Sequence, residues 1–208
     1  MTLLVVAALV AGCATGLLTR VIIERETDQP LHPLIPVAAT GLLAAVVAWR
    51  IGWSWDLPAY LYFAAISVPL AIIDLRTHRL PNRLTLPAYP VLAGLLLLPA
   101  VAGGQWEDLG RAVLAGAGLL VFFGIFHVIN PAGMGLGDVK LSGTMGALLG
   151  WGSWTALMAG TLAGFVLGAV AGLTLMALRR ANRKTALPFG PFMLVGAWAV
   201  ILLPPFGA

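Results

Sequence analysis

This sequence carries little charge. Asp, Glu, Lys and Arg make up 10% of its 208 residues, against about 25% in an average soluble domain. Such a chain cannot cover a water-facing surface, which excludes an ordinary soluble enzyme or binding module. A single cysteine, Cys13, excludes an intrachain disulfide and any multi-cysteine zinc site. Basic residues are missing before Arg20. Val10-Ala11-Gly12-Cys13 resembles a lipoprotein processing site, but a secretory signal needs a basic n-region, so the stretch is expected to be an uncleaved first span with Cys13 as a small buried side chain. There is no evident repeat or low-complexity tail. The net charge of +4 matters less than its placement, and no nucleic-acid partner is expected.

What is present is hydrocarbon, at 60% of residues. A spanning helix needs about 20 apolar residues, and the apolar runs lie at roughly 2–22, 34–52, 58–75, 84–103, 110–130, 140–151, 153–178 and 186–204. The sixth is short, consistent with a tilted or re-entrant segment. The expected fold is therefore all-α: a polytopic membrane bundle of about eight helices, forming one membrane-embedded domain over residues 1–208 with no separate soluble domain. Gly160, Gly164, Gly168 and Gly172 share one face of the seventh run, as close helix packing requires.

Basic residues set the expected orientation. Arg20 and Arg25, then Arg76, Arg79 and Arg83, then Lys140, then Arg179, Arg180, Arg183 and Lys184 flank the odd-numbered connections. Only Arg50 and Arg111 lie on the other side. This places the odd connections in the cytoplasm and both termini outside.

Two of the acidic residues stand beside apolar runs on the cytoplasmic side in unusual surroundings. Asp74 ends Ala71-Ile72-Ile73-Asp74 before Leu75-Arg76-Thr77-His78-Arg79-Leu80-Pro81-Asn82, and Asp138 follows Gly133-Met134-Gly135-Leu136-Gly137. An ionisable group near hydrocarbon is a functional candidate by default. If the two meet, they cannot both ionise cheaply and share a proton. The ionised partner then takes a proton from water attacking a peptide carbonyl, and the protonated one donates to the carbonyl oxygen. No metal or organic cofactor is called for. Glycines at 133, 135 and 137 permit conformations and close approaches that a side chain would block. A helix starting just after Gly137 would favour the ionised form of Asp138, leaving Asp74 as the protonated partner.

Plainer readings stand beside these. Asp74 alone could equally be a helix cap or the partner of a nearby Arg. Pro81-Asn82 starts the fourth helix, with Asn82 as a plausible cap. Lys140 reads as a snorkelling interface residue, His78 as a solvated loop residue and His127 as a satisfied helix histidine. His32 with Glu24, Glu26 and Asp28 matches no standard metal spacing. The run Arg179-Arg180-Ala181-Asn182-Arg183-Lys184 reads as an anchor to anionic lipid.

Three stretches together resemble the type IV prepilin peptidases, the bacterial branch of the GxGD membrane aspartyl proteases. Asp74 through Pro81-Asn82 looks like the family's first aspartate motif. Gly135-Leu136-Gly137-Asp138-Val139-Lys140-Leu141 looks like its second, and Pro188-Phe189-Gly190-Pro191 like its C-terminal element. The resemblance implies that Asp74 and Asp138 are catalytic and that Gly135, Gly137 and Lys140 belong to the active-site loop. It implies a prepilin or pseudopilin substrate with a short basic leader and a hydrophobic helix, cleaved at the cytoplasmic face of the inner membrane. Pilus assembly, type II secretion and DNA uptake all stay open as downstream roles. Longer family members carry a cysteine-rich zinc-binding domain after the first span and methylate the new amino terminus. Here the connection from about Glu24 to Pro33 is short and lacks cysteine, so the expectation is peptidase without N-methyltransferase activity.

A presenilin-like protease would want Tyr before the first aspartate and a Pro-Ala-Leu element; Ile73 and Pro188-Phe189-Gly190 stand there instead. The alternative from another class is a proton- or cation-coupled transporter using the same aspartates. Such proteins usually place charge at mid-membrane and show repeated halves, neither of which this sequence suggests.

Overall fold

Long apolar runs leave a backbone in lipid only one way to satisfy its own hydrogen bonds within a segment, the α-helix. A computed structural model describes residues 1–131, 133–180 and 187–203. Its helices are α1 (Thr2–Thr27), α2 (Leu34–Ile51), α3 (Leu57–Thr77), α4 (Asn82–Gly103), α5 (Trp106–Ile129), α6 (Leu136–Gly152), α7 (Trp154–Ala177) and α8 (Gly190–Leu202). Six of them, α1 to α5 and α7, are long and apolar enough to cross a membrane. Large apolar side chains such as Leu3, Val10, Leu114, Val121 and Val170 are exposed, as expected where lipid is the solvent. The all-α, multi-pass membrane architecture is thus the one expected from the sequence.

Hydropathy marks these helices well but trims the ends that carry charge. α1 runs past residue 22 to Thr27, its added turn braced by an Arg20–Glu24 pair at 2.9 Å. α5 begins at Trp106, with Glu107 and Asp108 in its first turn. α6 begins at Leu136 rather than near 140, with Asp138 in its first turn. Acids are stabilised at helix N-termini, so residues that look like loop to a hydropathy scale start the helix instead.

The chain divides into two compact units: Met1–Thr77 with Pro81–Leu109, and His78–Leu80 with Gly110–Ala208. In the first, α1 and α2 pack backbone to backbone. A Cβ on Gly16 would lie 2.6 Å from the Pro36 carbonyl oxygen, and Gly41 lies against the Cys13 sulfur. Cys13 is therefore a half-buried packing residue inside α1. Ile23, Leu31 and Ile73 form a small core where α1, its following loop and α3 meet.

In the second unit α6 is the central element, buried over most of its length from Val139 to Trp151. Arg111 of α5 closes its C-terminal end. Its Nε donates to the Gly150 carbonyl at 2.6 Å, and Nη2 donates to the carbonyls of Trp151 and, at 3.3 Å, Gly152. These are the carbonyls that a helix end leaves without intrahelical partners. The glycine face of α7 meets α8 and its approach: Gly164 lies against Met193, Gly168 against Phe189 and Gly172 against Leu187. The expected role of that face in close packing is met.

Candidate active site

Asp74 lies in the last turn of α3, which ends at Thr77. It is only 4% exposed, and it engages a partner within the protein. Its position at a helix C-terminus removes the N-cap reading. Neighbouring Ile73 is held in the small core with Ile23 and Leu31, and the Thr77 hydroxyl donates to the Ile73 carbonyl at 2.8 Å. The helix is thus fixed immediately around the carboxylate.

The connection after α3 turns sharply. His78 is exposed and adopts a left-handed conformation at φ 53°, which a non-glycine residue adopts only in special turns. Pro81, in extended conformation (φ −70°, ψ 135°), takes the N-cap position of α4. Asn82 is therefore the first helical residue, a correction to its expected role as the cap. Pro81 suits the position because its missing N–H would have no intrahelical partner there. Its carbonyl accepts from the amides of Leu84 at 3.0 Å and Thr85 at 3.1 Å. Arg83 and Arg76 tie this end down, Arg83 facing Glu26 at 3.9 Å and Arg76 donating to the Gln29 carbonyl at 3.5 Å.

Asp138 belongs to the second unit and is half-exposed. Gly135 is the N-cap of α6, with φ −69° and ψ 143°, so Asp138 is the third helical residue. Its carboxylate folds back over Gly135: a Cβ there would stand 3.1 Å from Oδ2. Gly137 is needed for a different contact. A Cβ on it would lie 2.8 Å from the Leu80 Cβ and 3.2 Å from the Leu80 backbone nitrogen. The segment His78–Leu80, within the first aspartate motif, is thus seated beside the glycine loop of the second. Neither Gly135 nor Gly137 has a positive φ, so close approach, rather than unusual conformation, is what makes glycine necessary here. Lys140 follows on α6, half-exposed and with a partner inside the protein.

Pro188 and Phe189 lead into α8, which opens at Gly190 with Pro191 in its first turn. The Phe189 ring packs against Phe165 at 5.2 Å and Phe123 at 6.2 Å between centroids. This C-terminal motif therefore wedges α5, α7 and α8 together. Among the described residues no group of three His, Cys, Asp or Glu side chains could hold a metal ion. Glu24, near His32 in the chain, accepts instead from Arg20 and from the Leu31 amide at 3.1 Å. Of the basic run from Arg179, residues 181–184 lie outside the described residues.

Residues 59–173 match the type IV leader peptidase family, a span that contains both aspartate motifs. The chain belongs to that family. It is similar to the prepilin leader peptidase/N-methyltransferase of Stutzerimonas stutzeri, 33% identical over 173 residues, covering 82% of this chain and 58% of that protein. The corresponding protein of Aeromonas salmonicida (strain A449) is 36% identical over 176 residues, covering 82% and 57%. That of Neisseria gonorrhoeae is 33% identical over 174 residues, covering 81% and 56%. The chain thus spans somewhat under three-fifths of the length of these curated relatives. No solved structure is a significant match.

Membership of the type IV leader peptidase family bears out the resemblance carried by the aspartate motifs. The Pro188-Phe189-Gly190 element lies beyond the matched span. Two contacts beside the second motif escape sequence reasoning. Leu80 against Gly137 joins residues far apart in the chain and has no periodic signal. His127 Nδ1 lies 2.7 Å from the Met134 carbonyl oxygen, a bond that depends on how the loop after α5 turns back. His127 is thus the satisfied helix histidine expected, and its partner is this loop.

Proposed function

We propose that this chain is an aspartic endopeptidase of the inner membrane that removes the leader from prepilins or pseudopilins, with Asp74 and Asp138 as its catalytic pair. The observation that carries the reading is the family match across both aspartate motifs. A buried Asp74 at the end of α3 and an Asp138 in the first turn of α6 add to it. The helix ends also suggest the roles. Backbone dipoles attract negative charge at a helix N-terminus and repel it at a C-terminus, so we assign the ionised carboxylate to Asp138 and the shared proton to Asp74. Asp138 would take a proton from the attacking water, while Asp74 would donate to the scissile carbonyl oxygen. The titration belongs to the pair rather than to either residue.

On this reading residues 1–208 act as one peptidase domain, with Gly135, Gly137 and Lys140 shaping the active-site loop. The excess of Lys and Arg beside the odd connections favours a cytoplasmic active site and extracytoplasmic termini. That is also where the basic leader of a prepilin resides. The connection between α1 and α2 is short, and the sequence's one cysteine lies within α1. We therefore extend the proposal to cleavage without N-methylation.

The test is co-expression with a candidate prepilin, comparing wild type with Asp74→Asn and Asp138→Asn at matched membrane abundance. Each substitution keeps size and hydrogen-bonding capacity but removes the titrating group. Both should lower the cleavage rate by at least about 100-fold, within the range for general acid–base catalysis. Wild-type cleavage by either variant would refute the aspartyl mechanism. Mass spectrometry of the trimmed product tests the second part: a free, unmethylated amino terminus is expected, and a methyl group added by the purified enzyme would overturn it.

A further inference from the structure

We propose that His127 is a positioning residue for Asp138, acting through the single peptide bond that joins Met134 to Gly135. The inference rests on the reading of Asp138 as catalytic. His127 stands in the last turn of α5, half-buried, with Nδ1 2.7 Å from the Met134 carbonyl oxygen. A carbonyl can only accept, so Nδ1 carries the proton, and in the neutral ring Nε2 is then the acceptor nitrogen. Met134 is buried, and its amide donates to the Asn130 carbonyl at 3.2 Å, beside a second bond from Gly133 N at 3.0 Å. Met134 is thus held by backbone on its amide side and by His127 on its carbonyl side.

The consequence falls on the next residue. A peptide unit is planar and trans, so its C=O and N–H point in opposite directions. Fixing the Met134 carbonyl therefore fixes the direction of the Gly135 N–H. Gly135 is the N-cap of α6 and Asp138 is its third helical residue. These are the two positions that meet in a capping box, where an acidic side chain reaches back to the N-cap amide. The Asp138 carboxylate does lie back over Gly135, with Oδ2 3.1 Å from where a Cβ would stand. His127 thus orients the peptide over which the carboxylate lies. Nothing in a lone histidine near the end of an apolar helix would have indicated this.

The conservative variants separate this role from simple packing. Asparagine can place an amide nitrogen close to the position of Nδ1, and glutamine closer to that of Nε2. Phenylalanine fills the ring volume but donates nothing. Purified full-length His127→Asn, His127→Gln and His127→Phe are assayed on a synthetic prepilin peptide in proteoliposomes, with Asp138→Asn as control. His127→Asn should keep kcat within about threefold, and the other two should lose roughly 10- to 100-fold in kcat with KM little changed. Amide hydrogen exchange across residues 133–138 gives a readout independent of turnover: it should accelerate in His127→Phe and stay slow in His127→Asn. Wild-type kcat and exchange in His127→Phe, or better retention by Gln than by Asn, would overturn the proposal. If Asp138→Asn cleaves normally, the aspartyl reading fails instead, and the exchange pattern alone decides whether His127 holds the loop.

Discussion

The two glycines of the second aspartate motif differ in what surrounds them, and that difference makes them separately testable. Gly137 faces the backbone nitrogen and Cβ of Leu80, neither of which can swing aside. Gly137→Ala must therefore displace the segment His78–Leu80 or the start of α6, at a cost of about 1–3 kcal/mol by analogy with overpacked cores. We expect reduced prepilin cleavage together with a lower thermal midpoint. Gly94, in the middle of α4, has open space where a Cβ would stand, with no neighbouring atom within 4 Å. Gly94→Ala should be neutral, or stabilising by up to about 1 kcal/mol through helix propensity. Equal behaviour of the two variants in both assays would show that contact at Gly137 is not what the motif requires. Asp74 and Asp138 themselves were legible from sequence, because a carboxylate beside hydrocarbon is costly. The contacts of Leu80 with Gly137 and of His127 with the Met134 carbonyl were not, since they form only once the loops are folded.

At the scale of the element, apolar run length located the helices and misjudged ends where charge belongs to the helix. Leu136-Gly137-Asp138-Val139-Lys140 is too polar and glycine-rich to register as a span, yet it is the first turn of α6. Arg111 is another case. Counted by topology, it is one of two basic residues on the side otherwise almost free of them. Folded, it binds three successive carbonyls at the end of α6. Arg111→Met should lower the unfolding free energy by about 1.5–3 kcal/mol, the range for hydrogen bonds to a charged group, measured by thermal or denaturant unfolding in detergent. An unchanged midpoint would mean that water or lipid replaces the cap at no cost. The α7–α8 contact offers a parallel test. A Cβ on Gly196 would lie 2.5 Å from the Gly164 nitrogen and 2.7 Å from the Gly160 carbonyl oxygen, whereas one on Gly172 meets only the Leu187 side-chain end at 3.2 Å. Gly196→Ala should destabilise by about 1–3 kcal/mol, while Gly172→Ala should be tolerated. The opposite order would refute backbone contact as the basis of that packing.

At the scale of the whole molecule, the proposed chemistry depends on which side of the membrane the odd connections face. A prepilin leader is short and basic, so a peptidase that acts on it before translocation needs both aspartates at the cytoplasmic boundary. Asp74 ends α3 and Asp138 opens α6. With one crossing per helix, an even number of crossings separates those ends, and both face the same side. On the proposed reading, the distribution of basic residues favours the cytoplasm as that side. The single native cysteine makes the test simple. In a Cys13→Ser background, cysteines are placed singly at four exposed positions: Gln29 and Arg79 in odd connections, Ser54 and Gln105 in even ones. Intact cells whose outer membrane has been made permeable are then treated with a membrane-impermeant maleimide. Ser54→Cys and Gln105→Cys should label, and Gln29→Cys and Arg79→Cys should label only after the inner membrane is opened. The reverse pattern would put the aspartates on the far side from the leader and remove the cleavage geometry proposed above. A mixed pattern, with Arg79 and Gln105 on the same side, would mean that α4 does not cross once, and the even-crossing argument would fall with it.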